Sequence, residues 1–372
     1  MRNDLRSYTL AELSDLFLKE GIPKYRAEQV FRSVHNRYSG SIEEIAGIPK
    51  ELKVFLNNYF RISLLTKTAE TESHKDKTKK VLFETTDVNL KKVSIESVHI
   101  PDENRNTFCI STQAGCNVGC GFCATGKMNL NRNLTSGEIV SQVYQMINIT
   151  DVFPSNVVYM GMGEPLLNYE NVLRSLIILT DKRGLGISSK RITVSTVGFM
   201  NRIKKLADDI KNNPALSNVK LAFSLHSTDN GFRESLIPTG KINNLKKMYE
   251  EIVYFYRVTG NKITYEYIYF EGLNDTEYDI NRLVKLSRMV PCNINIIPFH
   301  PVDFELTEPI KELNEKNHEK INLSKENSLS NSNKIYNFTE ILRSKKVAVN
   351  IRASSGVDIN AACGQLAVKK IL

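Results

Sequence analysis

The residues best suited to chemistry are three cysteines within eight positions, Gly115-Cys116-Asn-Val-Gly-Cys120-Gly-Phe-Cys123-Ala-Thr-Gly126. The CxxxCxxC spacing in a glycine-rich stretch lets three thiolates wrap one inorganic core. Three soft ligands on a four-iron cube leave one iron without a protein ligand. That iron can chelate the amino and carboxylate groups of S-adenosylmethionine (SAM) and pass one electron to its sulfonium. Ligation needs deprotonated thiols, which the positive charge of iron favours. The alternative is structural zinc, but zinc sites pair CxxC units with a nearby histidine, and the closest downstream histidine is His226. Six cysteines in 372 residues are too few for a disulfide scaffold and fit a reducing compartment.

Such a loop needs a scaffold. From Phe108 onward, β-like runs alternate with helical ones. Strands are expected over Phe108 to Thr112, Asn156 to Met162, Arg191 to Thr196, Lys220 to His226, Ile263 to Phe270, Asn293 to Phe299 and Val347 to Arg352. Amphipathic helices are expected over Ser136 to Ile147, Tyr169 to Asp181, Phe199 to Ile210, Leu245 to Tyr256, Tyr278 to Met289 and Tyr336 to Lys345. The alternation predicts an α/β fold of repeated βα units around a parallel sheet, closing as a full or partial barrel with its chemistry at the strands' carboxyl ends. An open doubly wound sheet is the alternative. Thr135-Ser-Gly-Glu138 reads as a capping box that opens the helix after the cysteine loop.

Ahead of this alternation, Leu10 to Leu18, Tyr25 to Tyr38 and Pro49 to Phe60 repeat a helical pattern. The expected organisation is a helical module over 1–62, a β-rich lead-in over 63–105, the barrel over 106–352 and a terminal loop over 353–372. Within the barrel, 314–333 is dominated by Asn, Lys, Glu and Ser and is expected as a flexible surface insertion. The first residues lack a signal peptide's apolar run, and no later stretch approaches the roughly 18 apolar residues of a membrane span, so a cytoplasmic chain is expected. A formal charge of +9 fits a polyanionic partner.

Several further motifs narrow the reading. Asp76-Lys-Thr-Lys-Lys-Val-Leu-Phe, Met160-Gly-Met-Gly-Glu-Pro-Leu-Leu-Asn168, Ser195-Thr-Val-Gly198, Phe223-Ser-Leu-His226 and Asp358-Ile-Asn-Ala-Ala-Cys-Gly-Gln-Leu366 accompany the cysteine triplet. In that order they resemble the RlmN family of radical SAM RNA adenine C2 methyltransferases, over nearly the whole chain. The sister Cfr family methylates C8 of the same adenine and shares the cysteines, but Pro165-Leu-Leu-Asn after the glutamate is RlmN-like.

The resemblance implies a partial (βα)6 TIM-like barrel with a small helical accessory domain that engages RNA. It implies a [4Fe-4S] cluster on Cys116, Cys120 and Cys123, with SAM as cosubstrate. The substrates it implies are adenosine 2503 of 23S rRNA and adenosine 37 of tRNA. A monomer served by an electron donor such as flavodoxin or ferredoxin is expected, without a membrane partner. C2 of adenine is electron-poor and cannot attack the SAM methyl directly, so a radical route is required. By resemblance, Cys363 is methylated and its methylene is added to C2. Glu96 then accepts the C2 proton, and Cys109 resolves the adduct by forming a transient disulfide with Cys363. A carboxylate in the role of Glu96 needs a raised pKa or close contact. Gly163, Glu164, Ser195, Ser224, Leu225 and His226 match SAM contacts. His300 stands where the family usually has Asn, and an imidazole reproduces only part of an amide's bonding.

Other residues read as structure. Cys292 is expected as core filler, and His35, His74, His99 and His318 as structural groups. Lys79, Lys80, Lys127, Arg132, Lys369 and Lys370 are candidates for phosphate contacts.

Overall fold

The computed structural model describes residues 2–86, 91–238, 244–302, 304–306, 308–323 and 329–368, without the side chains of 318–323 and 329–332. Lys369, Lys370 and the His318 side chain lie outside the described residues. Ten strands form one sheet: β1 (Thr66–Glu72), β2 (Lys79–Thr86), β3 (Lys92–Asp102), β4 (Arg105–Cys109), β5 (Asn156–Tyr159), β6 (Ile192–Thr196), β7 (Lys220–Ser224), β8 (Ile263–Tyr269), β9 (Cys292–Pro298) and β10 (Val349–Ile351). They lie side by side in chain order. Each neighbouring pair from β4 to β10 is parallel, while β1 to β4 pair antiparallel. The stretch 63–105 therefore feeds three strands into the same sheet as the βα units.

Three helices precede the sheet, α1 (Leu10–Lys19), α2 (Lys24–His35) and α3 (Lys50–Tyr59). Behind the parallel strands follow α4 (Ser136–Thr150), α5 (Tyr169–Thr180), α6 (Arg202–Asn212), α7 (Asn230–Leu236), α8 (Leu245–Thr259), α9 (Glu277–Ser287), α10 (Ile310–Leu323) and α11 (Leu329–Ser344). Six βα units thus lead from β4 to the closing strand β10. Strand order never reverses, so there is no switch point of the doubly wound kind. The edge strands β1 and β10 do not pair with each other, so the barrel is partial.

Local sequence explains these elements. In α6, Ile203, Leu206, Ala207 and Ile210 are buried at i, i+3, i+4 and i+7, the stripe of a helix covering a sheet. It stops at Asn212, two residues before Pro214, which cannot continue a helix. In the central strand β8, Ile263 and the run Tyr265 to Tyr269 are all buried, as expected of a parallel strand covered on both faces. Cys292 sits buried in this core, as its apolar neighbours predict.

The helical module is locked to the barrel through α4. Arg6 is 1% exposed, and its guanidinium donates to the carbonyls of Tyr38, Ser39 and Ser63 and to Oγ of Ser141 on α4, at 3.0–3.2 Å. His35 Nδ1 and the Tyr144 hydroxyl share a 2.7 Å bond. A side chain at position 137 would collide with Asp4, so the glycine there lets the N-terminal segment sit on the start of α4.

The reading of 314–333 as a structureless insertion needs correction at both ends. Residues 310–323 and 329–344 are helical, and Asn314 is buried. Its amide accepts from the Val302 N–H at 2.9 Å and donates to the Val302 carbonyl at 3.1 Å. Composition hid this because a polar residue that caps a neighbouring loop counts as hydrophilic whether it is solvated or not. Among the described residues no helix is long and apolar enough to cross a membrane.

Candidate active site

A cavity opens at the carboxyl ends of the parallel strands. One wall is the loop after β4, which carries Cys116, Cys120 and Cys123. Opposite lie Gly163 and Glu164 after β5, Ser195 on β6, Ser224 on β7 and His226 just beyond it. Glu266 on β8, Arg352 after β10 and Cys363 from the terminal loop complete the lining. Chemistry-bearing residues from six strands thus meet where a parallel barrel places them.

The cysteine loop is shaped by two close approaches. Gly115 has φ +82° and packs against the Asn129 carbonyl, where any Cβ would clash. Gly126 lies directly over the Cys120 backbone, closing the loop around the sulfurs. Burial pushes the Cys116 thiol up to about 12 and raises Cys120 and Cys123 as well. Backbone N–H groups pull the other way, from Val118 and Gly119 at Cys116 and from Thr125 and Gly126 at Cys123. Donors converging on sulfur suit thiolates, and buried thiolates need a cationic core to compensate them. Among the described residues no three His, Cys, Asp or Glu side chains gather as donors to a single ion. A [4Fe-4S] core needs only three protein ligands, which the three thiols on this one loop supply.

Glu164 is 3% exposed and accepts from the Leu166 N–H at 2.9 Å and the Val197 N–H at 3.0 Å. Burial nevertheless pushes its carboxyl up to about 7, so it lacks a cation and faces a cavity that can hold one. His226 takes a left-handed φ of +54°, fixed by Asn274, whose buried amide donates to the carbonyls of His226 and Ile268, each at 2.8 Å. Its Nδ1 accepts from the Ile268 N–H at 3.2 Å, so the ring proton sits on Nε2 as a donor. Burial pushes this imidazole down to about 3, which keeps it neutral. Arg233, 2% exposed, donates to the carbonyls of Val197, Ser224 and Leu225 and so stitches together the ends of β6 and β7.

The remaining thiols are placed by β4 and the terminal loop. Cys363 is exposed and lines the cavity, and the Gly364 carbonyl accepts from the Ala124 N–H at 2.6 Å, beside the cysteine loop. Cys109 is buried at the end of β4 and does not line the cavity. Its thiol is pushed up to about 12 by burial and by the Cys363 charge, so the two sulfurs lie within electrostatic reach. Arg352 stands beside both, its own pKa raised by Cys363 and Cys109 and by Glu266 at 3.5 Å.

Besides Cys109, three expected site residues lie outside this cavity. Leu225 is fully buried, its N–H donating to the Glu266 carbonyl at 2.9 Å. His300 lines a smaller neighbouring cavity, which shares Phe122, Ile268, Ile297 and Cys363 with the first. Glu96, on β3, is buried under the terminal segment, with the Ala367 N–H directed at its carboxylate. The basic residues expected at phosphate are partly engaged elsewhere. Arg132 makes two 2.7 Å bonds to Glu138, Lys79 pairs with Glu70 and Glu72, and Lys80 pairs with Glu96, while Lys127 is exposed. Sequence reasoning missed Arg352, Glu266, Arg233 and Asn274. The first two carried a usable signal, charged residues on or just beyond expected barrel strands.

The comparisons agree with this geometry. Residues 110–284 match the family described as the radical SAM superfamily. A crystal structure of a radical SAM methyltransferase from Sphaerobacter thermophilus superposes with a TM-score of 0.80 at 34% identity, covering 98% of both chains. Proteins named "Probable dual-specificity RNA methyltransferase RlmN" are similar over nearly their full length. The one from Cytophaga hutchinsonii is 37% identical over 99% of this chain and 93% of its own, and the one from Thermotoga sp. strain RQ2 is 37% identical over 97% and 95%. Fold and site together define a SAM-dependent methyltransferase of the radical SAM superfamily, whose members use a [4Fe-4S] cluster and SAM. Within that superfamily, the chain belongs to the RlmN family.

Proposed function

We propose that the protein methylates C2 of an adenine in RNA, in 23S rRNA and tRNA, with Cys363 as the sulfur that carries the methyl group. One observation carries the reading: five of the six cysteines gather at one end of the barrel, three on the cluster loop, Cys363 across the same cavity and Cys109 within its electrostatic reach. A cluster with an open iron supplies one-electron cleavage of a SAM sulfonium when both are bound. Cys116, Cys120 and Cys123 would hold it. Glu164 binds the methionyl ammonium, and the buried site strengthens that pairing. His226 Nε2–H, Ser195 and Ser224 orient the rest of SAM from the strand ends. Arg352 stands beside both thiols and pulls the Cys109 thiol down against its burial. Glu96 receives the proton from C2, and its carboxyl, pushed up to about 7 by burial, is matched to that task near neutral pH. The Cys109 thiolate then attacks Cys363 sulfur, so that the disulfide forms as the bond from sulfur to methylene breaks. The electron pair of that bond goes to the adenine-bound carbon, which takes up a proton to become the methyl group, and product leaves. His300 borders Cys363 from the second cavity and contributes at most one ring hydrogen bond there. The helical module over 1–62 engages the folded RNA.

Mass spectrometry of nucleosides from RNA treated with reconstituted protein tests this reading. The expected product is 2-methyladenosine; 8-methyladenosine would mean the Cfr-type reaction instead.

A further inference from the structure

The Asp76-Lys-Thr-Lys-Lys80 motif turns the chain between β1 and β2 and meets residues 280 positions away. Asp76 Oδ2 accepts from the Gly356 N–H at 2.8 Å, and Lys80 Nζ donates to the Asn360 carbonyl at 3.2 Å. Three residues further on is Cys363. The same Nζ stands 3.4 Å from Oε1 of Glu96.

Strand register explains this second contact. Lys80 on β2 pairs with Val98 on β3, and Leu82 pairs with Glu96, so Lys80 and Glu96 are diagonal neighbours on one face. A long side chain spans that gap. Glu96 has little other company. Its Oε2 is buried without a hydrogen-bond partner, and the terminal segment offers the Ala367 N–H. The Glu96 N–H goes to Met162 Sδ, and the Glu96 carbonyl accepts from the Ser111 hydroxyl. Neither group is charged at neutral pH. Lys80 is thus the charged partner named against this carboxylate among the described residues, and its side chain is only 13% exposed. A lysine so placed is turned away from any RNA phosphate.

We propose that Lys80 is a positioning residue that ties the Glu96 carboxylate to the loop bearing Cys363, setting base and sulfur in register. This rests on the reading of Glu96 as proton acceptor. Burial raises that carboxyl and the Lys80 ammonium pulls it back down. Without the ammonium, the acceptor form is populated only at higher pH.

The test is the pH profile of single-turnover RNA methylation by the reconstituted holoenzyme, comparing wild type with Lys80→Met, Lys80→Gln and Lys80→Arg. Iron content and methyl loading of Cys363 are measured alongside, since neither step needs the base. For Lys80→Met and Lys80→Gln, the limb that rises with pH moves up by about one pH unit. That is a loss of about fivefold at pH 7, recovered near pH 9, with loading of Cys363 and the KM for RNA unchanged. Lys80→Arg keeps the wild-type limb. An unshifted limb in both neutral variants overturns the proposal. So does a raised KM with a weaker salt dependence, the signature of a phosphate contact. Glu96→Gln separates the two levels: if it turns over like wild type, the base assignment itself fails, whatever Lys80 does.

Discussion

The two ends of the chain are fastened to the barrel in opposite ways. At the N-terminal end, Arg6 is wholly buried with four internal acceptors, and the Tyr38 and Tyr144 rings stack 5.0 Å apart beside it. The Cys363 loop is held mainly through single backbone groups: Gly356 N–H to Asp76, Asn360 carbonyl to Lys80, and Leu366 carbonyl to the Thr125 hydroxyl at 2.6 Å. The apolar groups it buries are small, Ala361, Ala362 and Leu366. A buried guanidinium tolerates one geometry, whereas contacts of the second kind open individually at modest cost. The chain is rigid where the scaffold must be fixed and lightly held where, in the proposed reaction, a sulfur has to travel between SAM, base and Cys109.

Substitutions can break or sharpen that contrast. The largest effect is expected from Cys123→Ala, which removes one of the three thiols proposed to hold the cluster: iron content should collapse and methyl transfer be lost with it, while the helical module stays docked by its protease pattern. Cys363→Ala comes next, with full iron but methyl transfer reduced more than about a thousandfold, as for the loss of a covalent nucleophile. Normal turnover by Cys363→Ala would end the idea of a travelling sulfur. Arg6→Met leaves three carbonyls and the Ser141 hydroxyl without their donor and should cost about 3–5 kcal/mol in denaturant unfolding. Turnover per folded molecule should stay unchanged. Asp76→Ala should cost only about 1–3 kcal/mol, read as faster nicking within residues 353–368 and a slower reaction. If it destabilised the whole protein as much as Arg6→Met, the two ends would not differ as described. The smallest effect belongs to exposed Lys127→Gln, which should leave kcat alone and lower the salt slope of RNA binding by about one.

Much of this was legible before any coordinates. Each parallel strand sat within a few residues of its expected place, as did α4, α5, α6, α8 and α9, because alternating apolar runs report burial locally. Helices α7 and α10 were not expected, and α11 begins seven residues before its expected start. Thr135 and Glu138 form the expected capping box, since both partners lie within one turn. The cysteine triplet and the Glu164 motif were readable for the same reason. Arg233, Asn274 and the pairing of Lys80 with Glu96 were not, because their meaning depends on strand register and on partners far away in sequence. Asn314 shows the same limit from the other side: its composition reads as solvent, but its amide caps a loop twelve residues earlier.

The distance between Asp76 and Gly356 also has a temporal side. At the pace of translation, about 14–56 s separate the synthesis of the β1–β2 turn from that of its partner 280 residues later. The cysteine loop and most of the barrel emerge in that interval, without the thiol that would receive a methyl group. If Cys363 carries the methyl group as proposed, a polypeptide stopped before it has no route to alkylate RNA, and synthesis of the Cys363 loop is what arms the enzyme.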